Sequence, residues 1–245
     1  MKTLFIADLH LSEAQPEITR RFLHFLKEHA GKADALYILG DFFNLWAGDD
    51  DDTEFNQLII NELGEHIKAG TQVYFMPGNR DFLIGKRFLK DSGCCWLADP
   101  SVIELYGKRV LLSHGDIFCT HDIKYLIYRG VIRNWLVQKL ILWLPLSWRK
   151  NMGQRMRKIS QAYTSSLPKN ARNVSQQAIE RIVNKHKVNL LIHGHVHRAG
   201  DYHFELYGKK QVRRLVLAGW DKDKGNVLIC QPNMQGLDLQ FSEIR

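Results

Sequence analysis

The chain is short of the features that mark a secreted or membrane-spanning protein. Only four cysteines occur, Cys94, Cys95, Cys119 and Cys230, with no CxxC pair among them. That excludes a disulfide-built scaffold and a thiolate-rich structural zinc site, and predicts free thiols in a reducing compartment. The apolar stretch LVQKLILWLPL is interrupted by Lys139 and Pro145, with Arg133 just before it. It falls short of the roughly 20 residues a spanning helix needs. The amino terminus, MKTLFIADLH, lacks the shape of a secretory signal, so a cytoplasmic location is expected. No internal repeat or low-complexity linker appears, and 245 residues are expected to form a single domain, 1–245.

A further absence is local. Between Ile123 and Arg172 there is no Asp or Glu, yet the stretch holds eleven Lys and Arg residues. The net charge of the whole is +8, so the remainder carries −3. The basicity therefore belongs to one segment. That segment, 122–168, also has no strand-like run, and stretches such as RNWLVQKLILWL and WRKNMGQRMRKIS read as helix. We expect a helical cap inserted in the domain.

Elsewhere, short apolar runs recur at 3–7, 36–39, 73–76, 110–113, 190–192, 215–218 and 227–230, bounded by Gly, Asp, Pro or His. These read as buried strands. Residues 18–28, 54–68 and 174–185 space their apolar positions at three and four, which predicts helices between strands and an α/β domain. The later strands lie closer together, which suggests a second, more antiparallel sheet.

Five of the runs end in polar clusters: Asp8-Leu9-His10, Gly40-Asp41, Gly78-Asn79-Arg80-Asp81, His114-Gly115-Asp116 and His193-Gly194-His195-Val196-His197. Ligands of open α/β sheets bind outside the carboxyl ends of strands, so these clusters should converge. Aspartate, imidazole and amide together fit two divalent ions. One ion would take Asp8, His10, Asp41 and His197, the other Asp41, Asn79, His114 and His195, with Asp41 bridging. Alternation would send both ends of Asp8-x-His10 and of His195-x-His197 to one side of an extended strand. The mixed ligand set suits Mn²⁺ or Fe²⁺. His24, His29, His66, His121, His186 and His203 are left as ordinary histidines, and His193 as a structural one behind the site.

The pattern DLH, GD, GNR, SHG, GHVH over residues 8–197 resembles the calcineurin-like metallophosphoesterases. Within that superfamily, FIADLHLS, ADALYILGDFF, WAGDDD, GNRDFLIGKRF, ELYGKRVLLSHGD and LIHGHVHR are similar to the UDP-2,3-diacylglucosamine hydrolases of lipid A biosynthesis. The resemblance implies a four-layer αββα sandwich with a helical cap and two Mn²⁺ per chain. It also implies a peripheral life on the cytoplasmic face of a Gram-negative inner membrane. The reaction it implies splits UDP-2,3-diacylglucosamine into UMP and 2,3-diacylglucosamine 1-phosphate, by attack of a two-metal-bound hydroxide on the α-phosphorus.

Most relatives follow the Asn with His, whereas here Arg80 follows Asn79. A guanidinium cannot protonate a leaving group at ordinary pH. That loss is tolerable when the leaving group is a phosphate, with a second pKa of about 6, and Arg80 can instead clamp phosphate oxygens. The simpler role for Arg80 is a surface salt bridge to Asp81. By the resemblance Asp41, Asn79, Arg80 and His195 serve catalysis. Asn79, Arg80 and His195 meet the phosphates; Asp122, Arg157, Ser160 and Thr164 bind the sugar phosphate or the nucleotide from the cap; and Trp46 and Phe82 line an acyl groove. The family's usual Lys is Leu167 here, with Lys169 close by, and its usual Glu is Asn44. The cap's cations, with Tyr125, Tyr128, Trp135, Trp143, Trp148 and the LILW run, suit a membrane surface and not nucleic acid. Two other readings stand beside this one: another dinuclear phosphoesterase, of cyclic nucleotides or dinucleoside polyphosphates, and a non-catalytic membrane-binding scaffold.

Overall fold

The computed structural model describes residues 1–245 apart from 121, 167–173, 207, 209, 235 and 245, and apart from the side chains of 164–166. In the first sheet β1 (Thr3–Ile6), β2 (Ala35–Leu39), β3 (Gln72–Met76) and β4 (Cys95–Trp96) are parallel neighbours. In the second, β5 (Ser101–Leu105), β6 (Lys108–Ser113), β7 (Leu190–His193), β8 (Gly200–Leu206) and β9 (Lys210–Val216) take the order β5-β6-β7-β9-β8. The closing hairpin of β10 (Gly225–Asn233) and β11 (Gly236–Ile244) returns to the first sheet, antiparallel to β1. The late strands thus divide between the sheets. The second sheet is mixed, with β6, β7 and β9 parallel and an antiparallel strand at each edge.

Strands covered on both faces need unbroken apolar runs, and alternate residues reveal the layers. Leu4, Ile6, Leu36 and Ile38 pack against α1 (Pro16–Glu28) and α2 (Glu54–Lys68) through Phe22, Phe25, Ile59 and Leu63. Phe5, Tyr37 and Leu39 face the other way and meet Val110, Leu112, Ile192 and Leu215 of the second sheet. Leu111, Leu191 and Val212 point outward from that sheet onto Ile179 and Val183 of the seventh helix. The result is four layers, αββα, as the resemblance implied.

Local chemistry sets the helix ends. Pro16 occupies the first turn of α1, where no amide donor is needed. Thr53 caps α2 by accepting from the Asn56 amide. A short α3 (Lys86–Ser92), unforeseen in sequence, starts where Asp49 accepts the Gly85, Arg87 and Phe88 amides. The acid-free segment folds into α4 (Ile123–Ile132), α5 (Trp135–Trp143) and α6 (Leu146–Ser166), capped by Asp122 and Asn134 at the first two. Finally α7 (Gln176–His186) is capped by Ser175.

The inserted helices use part of their charge inward. Arg129 bonds Asp99 and Asp116 at 2.8 Å each, and Arg133 lies beside both carboxylates. Arg149, buried, pairs with Asp50 and donates to the Ala47 carbonyl, while Lys150 meets Asp51 at 2.6 Å. Among the described residues, Arg129, Arg133, Arg149 and Lys150 therefore tie the segment to the body. Tyr125 also turns inward, its hydroxyl bonding Asp116.

Candidate active site

The loops after β1, β2 and β3 of one sheet and after β6 and β7 of the other meet at one end of the sandwich. They form two groups of side chains. Asp8, His10 and His197 make one, and Asp41, His114 and His195 the other. His10 Nε2 lies 3.2 Å from His197 Nε2, and His197 Nε2 lies 3.6 Å from Asp8 Oδ1. In the second group His114 Nε2 is 3.2 Å from both His195 Nδ1 and Asn79 Oδ1. Asp41 stands between the groups. Its Oδ1 is 3.7 Å from His114 Nε2 and its Oδ2 3.9 Å from His10 Nε2. For bonds near 2.1 Å the edges of a coordination polyhedron are about 3.0–3.4 Å, so these spacings suit ligands around an ion.

The expectation of an extended Asp8-x-His10 and His195-x-His197 is corrected by the backbone. β1 ends at Ile6 and β7 at His193. Asp8, His10, Asp41, His195 and His197 all have positive φ, between 50° and 71°. Each such residue costs about 1–3 kcal/mol, so what brings these side chains together is not strand alternation. The strain is held by bonds between loops. The Asp8 amide donates to Gly40, His10 to Asp41, Gly194 to His114, and Trp220 to Asp8.

The donor set fits divalent ions on its own chemistry. Asp8 Oδ2 accepts the His195 amide at 2.7 Å, while its buried Oδ1 has no hydrogen-bond partner among the described residues. His114 Nδ1 lies 3.0 Å from the Leu39 carbonyl, which assigns the proton there and leaves Nε2 free as a ligand. Electrostatics without an ion are unfavourable. Burial pushes the Asp8 carboxyl up to about 6, despite the nearby histidines. Burial likewise drives His10 down to about 3 and His195 to about 4. His114 is opposed by burial but raised to about 9 by the charges of Asp41 and Asp8. A bound cation would favour the ionised carboxylates and the neutral imidazoles together.

Asn79 and Arg80 sit on the loop after β3 and, with Asp122 and Ser160, line the cleft of about 770 Å³ that contains the site. Arg80 is not paired with Asp81. The Arg80 amide bonds Asp41 Oδ1, and its buried Nε has no partner. Asp81 is fully buried and accepts the Gly78 and Phe42 amides at 2.6 and 2.7 Å. It thereby joins the loops that carry Asn79 and Asp41, a positioning role that the adjacent Arg-Asp pair disguised in the sequence. Arg157 lines the adjoining hollow beside His10 and Arg80. Thr164 is on α6, but its side chain is outside the described ones, as are Leu167 and Lys169 altogether.

One assignment changes. Trp46 does not line a groove: it is 2% exposed, packed tilted against Phe43 and edge-on to Phe88, with Nε1 bonding Asp49 at 3.0 Å. Phe82 is half-buried, and its carbonyl accepts from Gln138 of α5. His193 stays behind the site, buried against Phe118 and outside both groups. His121 lies outside the described residues. Asp99 was also unremarked in sequence, and it holds the His114 amide at 3.1 Å while pairing with Arg129.

The sequence pattern described as calcineurin-like phosphoesterase matches residues 1–199. The UDP-2,3-diacylglucosamine hydrolase of Pseudomonas aeruginosa strain UCBPP-PA14 is 46% identical over 222 residues, covering 91% of this chain and 92% of its own. The protein of that name from Coxiella burnetii strain Dugway 5J108-111 is 48% identical over 218 residues, 89% of each chain. The one from Enterobacter sp. strain 638 is 42% identical over 241 residues, covering 98% and 100%. The family implies divalent metal ions, for which the two Asp–His groups are the candidates. By these matches, over the same fold and the same converging loops, the chain belongs to the calcineurin-like phosphoesterases.

Proposed function

We propose that this enzyme hydrolyses the pyrophosphate bond of UDP-2,3-diacylglucosamine, giving UMP and 2,3-diacylglucosamine 1-phosphate. The observation that carries the reading is Arg80 beside the two groups shared by Asp41: a fixed cation, without a carboxylate partner among the described residues, where a proton donor would serve a poorer leaving group. The relatives at 42–48% identity carry the same activity in their names.

Seven residues, Asp8, His10, Asp41, Asn79, His114, His195 and His197, would hold two ions, which we assign as Mn²⁺ from the imidazole, carboxylate and amide donors. Such ions supply an activated water and neutralise charge on the phosphates. The protein's own groups do the rest. Asn79 and Arg80 orient the phosphates, Arg80 stabilises charge on the departing phosphate, and His195 lies at the edge of the reacting centre. Water attacks the α-phosphorus, and the P–O bond to the lipid phosphate breaks. Asp122, Arg157, Ser160 and Thr164 take the sugar-phosphate half.

Residues 122–168 are assigned as a cap over the site, and its outward side as the membrane contact. Ile127, Leu136, Leu140, Trp143, Trp148 and Ile159 are all exposed there, Trp143 by 83%. Lys139 sits over the Trp135 ring at 4.7 Å. An apolar patch flanked by cations lies at a lipid interface. No helix among the described residues is long and apolar enough to cross a membrane. Our reading is that the enzyme works on the cytoplasmic face of a Gram-negative inner membrane, which the names and sources of the relatives support.

Turnover in ¹⁸O water tests the reaction. Label is expected in UMP and not in the lipid phosphate. Label in the lipid product would reverse the attack, and absence of turnover would reject the substrate.

A further inference from the structure

Arginines beside the metal groups differ in what they hold. Arg129, Arg133 and Arg149 pair with aspartates. Arg80, Arg157 and Arg214 have a buried Nε without a hydrogen-bond partner, as Arg133 also has, and differ in lacking a paired acid. Among the described residues none of these three makes a salt bridge. Arg80 and Arg157 flank the same hollow near His10. Arg214 is absent from that hollow and lines the main cleft with Arg198 and Tyr202, a cleft that Arg80 also borders.

Its position follows from strand register. Arg214 on β9 pairs with Tyr202 on β8 and with Leu191 on β7. Leu215 faces the space between the sheets, so Arg214 and Val216 face outward, on the same face of the sheet as Leu191 of β7. Arg214 is 9% exposed, and its guanidinium lies 4.2 Å over the Tyr202 ring. Asp201, the nearest acid along β8, bonds Arg213 and His203 instead. The Tyr202 ring leans over Gly200, where an added Cβ would lie 2.7 Å from its Cζ and 2.8 Å from its Oη. A side chain at Gly200 would therefore displace the ring beneath Arg214.

A buried guanidinium without a counter-charge is unfavourable in the free protein and is stabilised when an acceptor-rich ligand arrives. We propose that the arm of the cleft walled by Arg214, Tyr202 and Arg198 receives the uridine nucleotide half of the substrate, opposite the arm of Arg80 and Arg157. This rests on the pyrophosphatase reading above. Arginine offers only donors, matching the carbonyl oxygens of uracil and the nucleotide's phosphate. The flat face of a ring–guanidinium pair offers a stacking surface for a base. With the lipid half on the cap side and the nucleotide on the second-sheet side, the pyrophosphate spans Asp41.

The test compares the two products on the full-length, Mn²⁺-loaded chain. Equilibrium binding of UMP, and of 2,3-diacylglucosamine 1-phosphate in detergent micelles, is measured for wild type, Arg214→Gln and Gly200→Ala. Loss of a charged hydrogen bond predicts UMP binding weaker by about tenfold to a hundredfold in Arg214→Gln. Lipid-product affinity should stay within about twofold. Gly200→Ala, which keeps the charge, should weaken UMP binding several-fold. UMP affinity unchanged in both variants, or equal losses for both products, would overturn the assignment. Where wild type hydrolyses UDP-2,3-diacylglucosamine, such a result removes the nucleotide arm and leaves the function standing. A wild type without turnover or UMP affinity removes both.

Discussion

Substituting Gly78 by Ala should disable the site through one methyl group. An added Cβ there would sit 2.9 Å from Asp41 Cγ and closer still to Asp41 Oδ1 and its backbone nitrogen. Ordinary contacts of a Cβ begin near 3.4 Å, so Asp41 or the Gly78 loop must shift by about 0.5–1 Å. Neither is free to move alone. Asp41 accepts from the Arg80 amide at 2.9 Å, and the Gly78 amide is tied to Asp81 at 2.6 Å. Asp41 reaches both histidine groups, and a misplacement of about 1 Å near reacting atoms lowers rates about 10²-fold. That is about 2.7 kcal/mol of transition-state stabilisation. Overpacking should also destabilise the fold by about 1–3 kcal/mol, lowering Tm by roughly 2–12 °C. The assay is kcat/KM on the UDP-lipid beside Mn²⁺ content by elemental analysis. Gly70→Ala is the control: it has φ of +112° but nothing within 4 Å of an added Cβ. It should lose about 1 kcal/mol of stability and no activity. A Gly78→Ala enzyme with normal turnover and two bound ions would refute the claim that Asp41 must stand where it does.

Other perturbations separate positioning, binding and membrane contact. Asp81→Ala strips the partner from three buried amides, those of Phe42, Phe43 and Gly78; it should destabilise by about 2–4 kcal/mol and lower metal affinity, and unchanged melting and metal titration would contradict that role. Arg80→Ala should reduce kcat by about 10²–10³-fold, with Arg80→Lys recovering only part because a point charge cannot clamp bidentately; full recovery by Lys would argue against the clamp. Replacing exposed Leu140 and Trp143 together by Ser should weaken sedimentation with anionic vesicles by about tenfold or more without lowering Tm; unchanged sedimentation would place the lipid contact elsewhere.

The parts legible in sequence were those with redundant physical signals. β1, β2, β3, β6 and β7 are covered on both faces and so show unbroken apolar runs, each ending in a polar cluster. β8, GDYHFEL, and β11, GLDLQFSEI, are edge strands with much polar surface, and their runs disappear among charged residues. The left-handed backbone at Asp8, His10, Asp41, His195 and His197 left no trace in a residue pattern that fits an extended strand equally well. Trp46 stands next to an acidic loop, which reads as surface, yet Asp49 turns back to bond its indole. Asp81 and Arg214 were hidden for a common reason. Their roles depend on what they meet, or fail to meet, from distant strands and loops.

The central claim is that Asp41 joins two ion sites, one centred on His10 and one on His114. Its most direct test is Mn²⁺ titration of the metal-stripped chain, with bound ions counted per chain for wild type, His10→Ala, His114→Ala and Asp41→Asn. The account predicts two ions in wild type, one tight ion in either histidine variant, and weakened binding at both sites in Asp41→Asn with loss of turnover. A single ion in wild type, or an Asp41→Asn chain that binds both ions and turns over normally, would contradict it.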